Sequence, residues 1–103
     1  MESTQIELLP AAYEDLNDSF DYILLENMDA TEHMLAKIIN SLQQLEVFPK
    51  LGVKLMEQSL AAYEFRMMII DSYIAFYRLI DNKVVVYRVL NGARDYVNLL
   101  GIH

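Results

Sequence analysis

The residues best suited to chemistry on an oxyanion are arginines. Arg66, Arg78 and Arg88 stand one in each of three successive apolar runs, and Arg94 follows the last of them. A guanidinium offers a planar fork of donors that matches carboxylate and phosphate oxygens. If the runs are strands, each sends one arginine to a face that is otherwise mostly apolar, and such a cluster suits an acidic or phosphate-bearing partner. Proton transfer has poorer candidates. His33 lies in an acidic stretch and His103 is the last residue, so neither has the oriented neighbours that a general acid or base needs. With no cysteine there is no thiolate nucleophile, no thiolate metal site and no disulfide framework, and no metal or cofactor is expected.

These arginines must be positioned by the stretch from Phe65 to Tyr96. It divides into three β-branched and aromatic runs, Phe65–Ile70, Tyr73–Ile80 and Val84–Leu90, separated by Asp71-Ser72 and Asp81-Asn82-Lys83, which is turn chemistry. A meander follows, with two lists of side chains per strand. Arg66, Met68 and Ile70 share one face of the first strand. In the second, Tyr73, Ala75, Tyr77 and Leu79 oppose Ile74, Phe76, Arg78 and Ile80. In the third, Val85, Tyr87 and Val89 oppose Val84, Val86, Arg88 and Leu90. The tyrosines Tyr73, Tyr77 and Tyr87 are strand formers, and Met67 and Met68 suit a core or groove.

Upstream, Thr4 to Leu8 is a short strand, and Pro10 suits the first turn of a helix running to Glu26 with Ala12, Leu16, Phe20, Ile23 and Leu24 on its apolar stripe. Asn27-Met28-Asp29 breaks it. Asp29 with Glu32 resembles a capping box for a second helix, whose stripe is Met34, Ile38, Leu42 and Leu45 and which Phe48-Pro49-Lys50-Leu51-Gly52 ends. From Gly52 to Glu64 the pattern leaves both an extended piece and a turn of helix open. Asn91-Gly92 turns the chain into a last short helix, Ala93 to Leu100, which Gly101 stops. The expected architecture is one α+β domain over residues 1–103: a two-helix hairpin on a small, mostly antiparallel sheet made of the N-terminal strand and the meander, plus a short C-terminal helix.

The net charge of −7 is uneven. Residues 1–48 carry ten acids and a single base, Lys37, whereas residues 49–103 carry seven bases and five acids. The N-terminal acids fit a solvated helical face. The opening MESTQIELLP has no basic segment before a long apolar one, and no apolar run reaches the roughly 18 residues of a membrane span. A soluble cytoplasmic protein is expected.

Three stretches resemble the RelE/ParE toxin family. ELLPAAYEDLNDSFDYIL is similar to the family's opening, with Pro10, Ala12, Asp15-Leu16 and Tyr22-Ile23 in place. Leu45-x-x-Phe48-Pro49-x-x-Gly52 is similar to its L-x-x-FP-x-x-G. YIAFYRLIDNKVVVYRVLNGARDY is similar to its Y-R-I-x-Y-R-V…V-x-I-L-R-V-L-H-G-x-R-D-Y. The resemblance covers nearly the whole chain. It implies the toxin half of a type II toxin-antitoxin module, linked to growth inhibition and plasmid stabilisation, neutralised by a cognate antitoxin and reaching operator DNA only through it.

The family divides into ribosome-dependent messenger RNA endonucleases like RelE and inhibitors of DNA gyrase like ParE. RNA cleavage needs a base, cations on the scissile phosphate and an acid for the leaving oxygen. The family arginine after the tyrosine opening the middle strand is Ile74 here, its turn histidine is Asn91, and Leu100 stands near where an acid is often found. An acidic chain also suits ribosomal RNA poorly. The resemblance therefore implies the ParE branch, with RelE-like cleavage, in which Arg94 would act, as the alternative and an inactive antitoxin-binding domain as the third reading. Target contacts are expected from Arg66, Arg78, Arg88, Arg94 and Tyr96. Antitoxin contacts are expected from Met68, Ile70, Ile74, Phe76 and Ile80, taken as the uncovered apolar face of the meander.

Overall fold

The computed structural model describes residues 4–26, 28–92 and 96–100. Strand β1 (Gln5–Leu8) leads into α1 (Pro10–Glu26), where proline's missing N–H costs nothing in the first turn. Helix α2 (Met28–Val47) starts one residue before the expected cap, so Asp29 lies in its first turn, a favourable place for an acid. The segment that the pattern left open resolves into strand β2 (Val53–Lys54) and a 3-10 helix (Gln58–Tyr63). Glu57 caps that helix by accepting from the Ser59 N–H at 2.8 Å. Strands β3 (Arg66–Ile70), β4 (Tyr73–Ile80) and β5 (Lys83–Asn91) form the meander, and α3 (Tyr96–Leu99) closes the described chain.

The sheet has five strands in the order β1-β5-β4-β3-β2, one more than expected because β2 adds to β3. Strand β1 joins the meander edge and runs parallel to β5. The β4–β5 turn is two residues, Asp81 and Asn82, both at positive φ, as a type I′ hairpin requires. Lys83, expected in the turn, is the first residue of β5 and pairs with Ile80. Ala93 and Gly101, proposed as the bounds of the last helix, lie outside the described residues.

Strand β5 departs from simple alternation. Phe76 pairs with Arg88 but Tyr77 pairs with Val86, so Tyr87 is an extra residue, a β-bulge. The bulge shifts the parity of everything after it. Val89 therefore joins Val84 and Val86 on the helix side, which corrects the expected grouping of Val84, Val86, Arg88 and Leu90.

The helical hairpin covers one sheet face. Ala12, Ile38, Leu42 and Leu45 pack on Ile70, Tyr73, Ala75, Tyr77, Val84, Val86 and Val89, with Leu16 and Met34 at the margin. Phe20, Ile23 and Leu24 of the expected α1 stripe lie outside the described side chains. Ile38 and Leu45 are fully buried, and each such side chain contributes about 1.5–3 kcal/mol. The opposite face is not left bare, contrary to expectation. Phe65, Phe76 and Leu90 are buried there beneath Leu55, Leu60 and Leu100, supplied by the β2–β3 arm and the C-terminal end. No helix among the described residues is long and apolar enough to cross a membrane.

Candidate functional site

The meander arginines do not gather. Arg66 opposes Tyr77 across β3 and β4, on the helix side of the sheet. Its guanidinium donates to the carbonyl oxygens of Gly52 at 2.8 Å and Lys50 at 3.3 Å. Arg78 lies on the other side, donating from Nε to the Tyr63 carbonyl at 2.8 Å and from Nη1 to the Tyr87 hydroxyl at 3.1 Å. The rings of Tyr63, Phe65 and Tyr87 stand 5.5, 5.7 and 5.9 Å from its guanidinium carbon, a cage that favours a cation. The acids nearest to these strands in sequence, Glu64 and Asp71, pair with Lys54 at 3.8 Å and Lys37 at 2.7 Å.

Arg88 sits where β1 has left the sheet. It makes a bidentate pair with Asp15 of α1, both contacts at 2.7 Å, and donates its third nitrogen to the Leu99 carbonyl at 2.7 Å. Asp15 also accepts the Val89 N–H at 3.0 Å, so one carboxylate caps the open edge of β5 and neutralises the cation. Donating to the Asp15 carboxylate raises the Arg88 pKa further against the opposing effect of burial. Each of the three guanidinium nitrogens already donates within the chain, so Arg88 is engaged in holding α1 and the C-terminal end to β5. Nothing in the sequence paired these two residues, although Asp15 stands in the resemblance as half of the Asp-Leu motif.

Tyr96 stacks on Phe76, with ring centroids 5.3 Å apart and planes 24° apart, and is partly buried. Arg94 lies outside the described residues, as does His103. His33 is exposed on α2.

The five residues expected to receive an antitoxin divide between two faces. Register pairs Met68 with Ala75 and Ile70 with Tyr73, which turns both toward the helices; Ile70 is 2% exposed. Ile74 and Phe76 point the other way, and Phe76 is buried under the arm. Ile80 stands at the hairpin end opposite Lys83. A direct antiparallel pairing joins odd residues of β4 to even residues of β3, so the expected union of even-numbered positions fails on parity.

An apolar opening lies elsewhere. Residues of α1, α2 and β1 line a groove of about 450 Å³, among them Ile6, Leu8, Tyr13, Leu35 and Ile39. Tyr13, Leu35 and Ile39 are 57%, 36% and 44% exposed. The signal for it was present: Leu35 and Ile39 flank Met34, Ile38 and Leu42, widening the apolar stripe of α2 beyond what one packing face needs.

The Phe48–Gly52 loop is held from below. The Tyr77 hydroxyl accepts the Gly52 N–H at 2.9 Å and donates to the Pro49 carbonyl at 2.9 Å. Burial raises the Tyr77 pKa, partly offset by the Gly52 hydrogen bond and by Arg66. A Cβ on Gly52 would lie 2.6 Å from that hydroxyl and 2.8 Å from the Met67 carbonyl oxygen, so glycine is required by space.

Comparison with known proteins bears on the whole arrangement. A family model described as the ParE toxin of the type II toxin-antitoxin system, parDE, matches residues 6–96. A solved structure titled "Chromosomal ParDE TA system from P. aeruginosa" is similar in fold with a TM-score of 0.71 at 14% identity, covering 88% of this chain and 98% of that one. No curated protein matches significantly. That likeness is one of fold, and the family match spans nearly every element described above: the chain belongs to the ParE toxin family of type II toxin-antitoxin systems.

Proposed function

We propose that the chain is a growth-inhibiting cytoplasmic toxin that binds DNA gyrase without cutting RNA, and that a cognate antitoxin silences it by laying an apolar helix in the groove between α1, α2 and β1. The observation that carries the non-enzymatic reading is the surroundings of Ile74. It replaces the family's middle-strand arginine, and its face is built from Phe65, Met67, Phe76, Tyr87 and Leu90, with Arg78 caged by aromatic rings and Arg88 taken up by Asp15 and the Leu99 carbonyl. Phosphoryl chemistry on RNA needs cations free to meet a developing charge, together with a positioned base and acid. Among the described residues that face supplies none of these together. Target contact then falls to Arg94 and Tyr96 near the C-terminal end, with Arg78 and Arg88 serving the fold. An antitoxin bound in this way would also be the toxin's route to operator DNA, and plasmid stabilisation is the role such a module would serve.

A purified supercoiling assay tests the reading beside mapping of ribosome-bound messages. Gyrase inhibition with messages uncut is expected, together with DNA-damage signalling when the toxin is induced alone. Arg94→Lys should reduce inhibition if the planar fork contacts the target, with the melting temperature unchanged. Codon-biased cuts that vanish in Arg94→Ala, with gyrase unaffected, would restore RelE-like cleavage. Absence of toxicity in both assays would leave an antitoxin-binding domain.

A further inference from the structure

Three cations converge on a recess that none of these roles uses. Lys50, Lys54 and Arg66 line it with Glu64, and Leu79 is its apolar wall; its volume is about 180 Å³. In a chain of net charge −7 this is a local excess of positive charge. Lys37, Arg78 and Arg88 are each taken up elsewhere by a carboxylate, a carbonyl or aromatic rings.

We propose that this recess binds a phosphoryl group, either the free dianion or the terminal phosphate of a small molecule such as a nucleotide. The four charged side chains sum to two positive charges, which a dianion neutralises. Arg66 is already aimed. Its Nη1 is held by the carbonyls of Lys50 and Gly52, which leaves Nε and the second Nη without a partner among the described residues. Those carbonyls belong to the loop that Tyr77 fixes through Pro49 and Gly52, so the guanidinium fork is oriented before any ligand arrives. Lys54 is held only loosely by Glu64, at 3.8 Å with side chains 51% and 73% exposed, and a phosphoryl oxygen competes well against such a pair. Glu64 itself takes φ 56 as the C-cap of the 3-10 helix, its N–H donating to the Ala61 carbonyl. The size of the recess admits one oxyanion, and the acidic remainder of the molecule repels a polyanion, so a nucleic-acid backbone or an acidic peptide fits less well. The inference is independent of the gyrase reading, since it concerns a different part of the surface.

Calorimetric titration of the full chain with inorganic phosphate and with ADP, at ionic strength matched by chloride, tests it. Saturable 1:1 binding is expected, weakened at least about tenfold in K50Q/K54Q, the loss that follows from removing charge-assisted contacts. That double variant keeps the backbone carbonyls that hold Arg66, so it remains informative even if R66K disturbs the loop. ADP binding more tightly than phosphate would identify a phosphate ester as the ligand class, and equal affinities would identify the free ion. Phosphate acting no differently from chloride, or binding unchanged in K50Q/K54Q, would overturn the proposal. So would binding of a polyglutamate peptide with phosphate silent, which would make the recess a docking point for an acidic protein segment.

Discussion

Removing either partner of the Arg88–Asp15 pair leaves a charge in a place mostly closed to water, since the two side chains are 20% and 12% exposed. Asp15→Asn or Arg88→Met alone should each cost about 2–4 kcal/mol, because the partner is left desolvated and unpaired. The double variant should cost clearly less than the sum, with a coupling of at least about 1 kcal/mol. Urea denaturation of the four proteins in the cycle measures this, and additive losses would remove the pair from the account. Tyr77 makes the second prediction at this scale. Its folded pKa is raised by burial, so its stabilising contribution is complete below the unfolded value of about 10 and is lost as pH rises through the higher folded value. Tyr77→Phe should lose about 1–3 kcal/mol at neutral pH, where the Gly52 N–H is orphaned, and should show a shallower decline above about pH 10. Denaturation midpoints of both proteins across the alkaline range decide it; parallel declines would mean that Tyr77 does not titrate with unfolding.

Among the elements, the shortness of β1 has the largest consequences. Its pairing with β5 ends at Leu8 and Val86, so α1 satisfies the next edge N–H through Asp15, and Ile6 and Leu8 are left to line a groove together with α1 and α2. A solvent-facing apolar groove between helices suits an amphipathic helix with anchors at helical spacing. Leu35→Glu and Ile39→Lys lie on its lip, outside the buried cluster of Ile38, Leu42 and Leu45. Each should weaken antitoxin binding by about 2 kcal/mol or more, as for interface anchors, while leaving the melting temperature within a few degrees of the parent. Pull-down or calorimetry with the co-encoded antitoxin checks this. Unchanged affinity would place the antitoxin on another surface.

For the whole molecule, an acidic N-terminal half stands beside several uncovered apolar side chains. Besides the groove, Phe48, Val53, Met56 and Ile69 are each more than half exposed, with Met56 and Ile69 at 78% and 68%. Apolar surface of this extent signals a missing partner. The chain expressed alone should therefore be poorly soluble and bind an apolar dye, and co-expression with the antitoxin should restore it. A monodisperse monomer with no dye bound would count against this.

Local sequence determined the elements. Apolar spacing of 2 and of 3.6, Pro10 and Asp81-Asn82 mark β1, both long helices and the meander within a residue or two, because each signal acts over a few neighbours. It also carried the family motifs, since Gly52 and Asp15 are required by contacts that admit little else. Which side chains meet was decided by the tertiary structure alone. One extra residue at Tyr87 reverses the facing of Arg88 and Val89, and no local pattern announces a bulge whose cause is the pairing partner across the sheet. The weak segment before Glu64 likewise takes its form from what it covers: Leu55 and Leu60 are buried on Phe65 and Phe76, so the second face that alternation left open is closed by the chain itself. Register, bulge and cover depend on residues far apart in sequence, and for that reason the arginines that strand parity made neighbours ended in three separate environments.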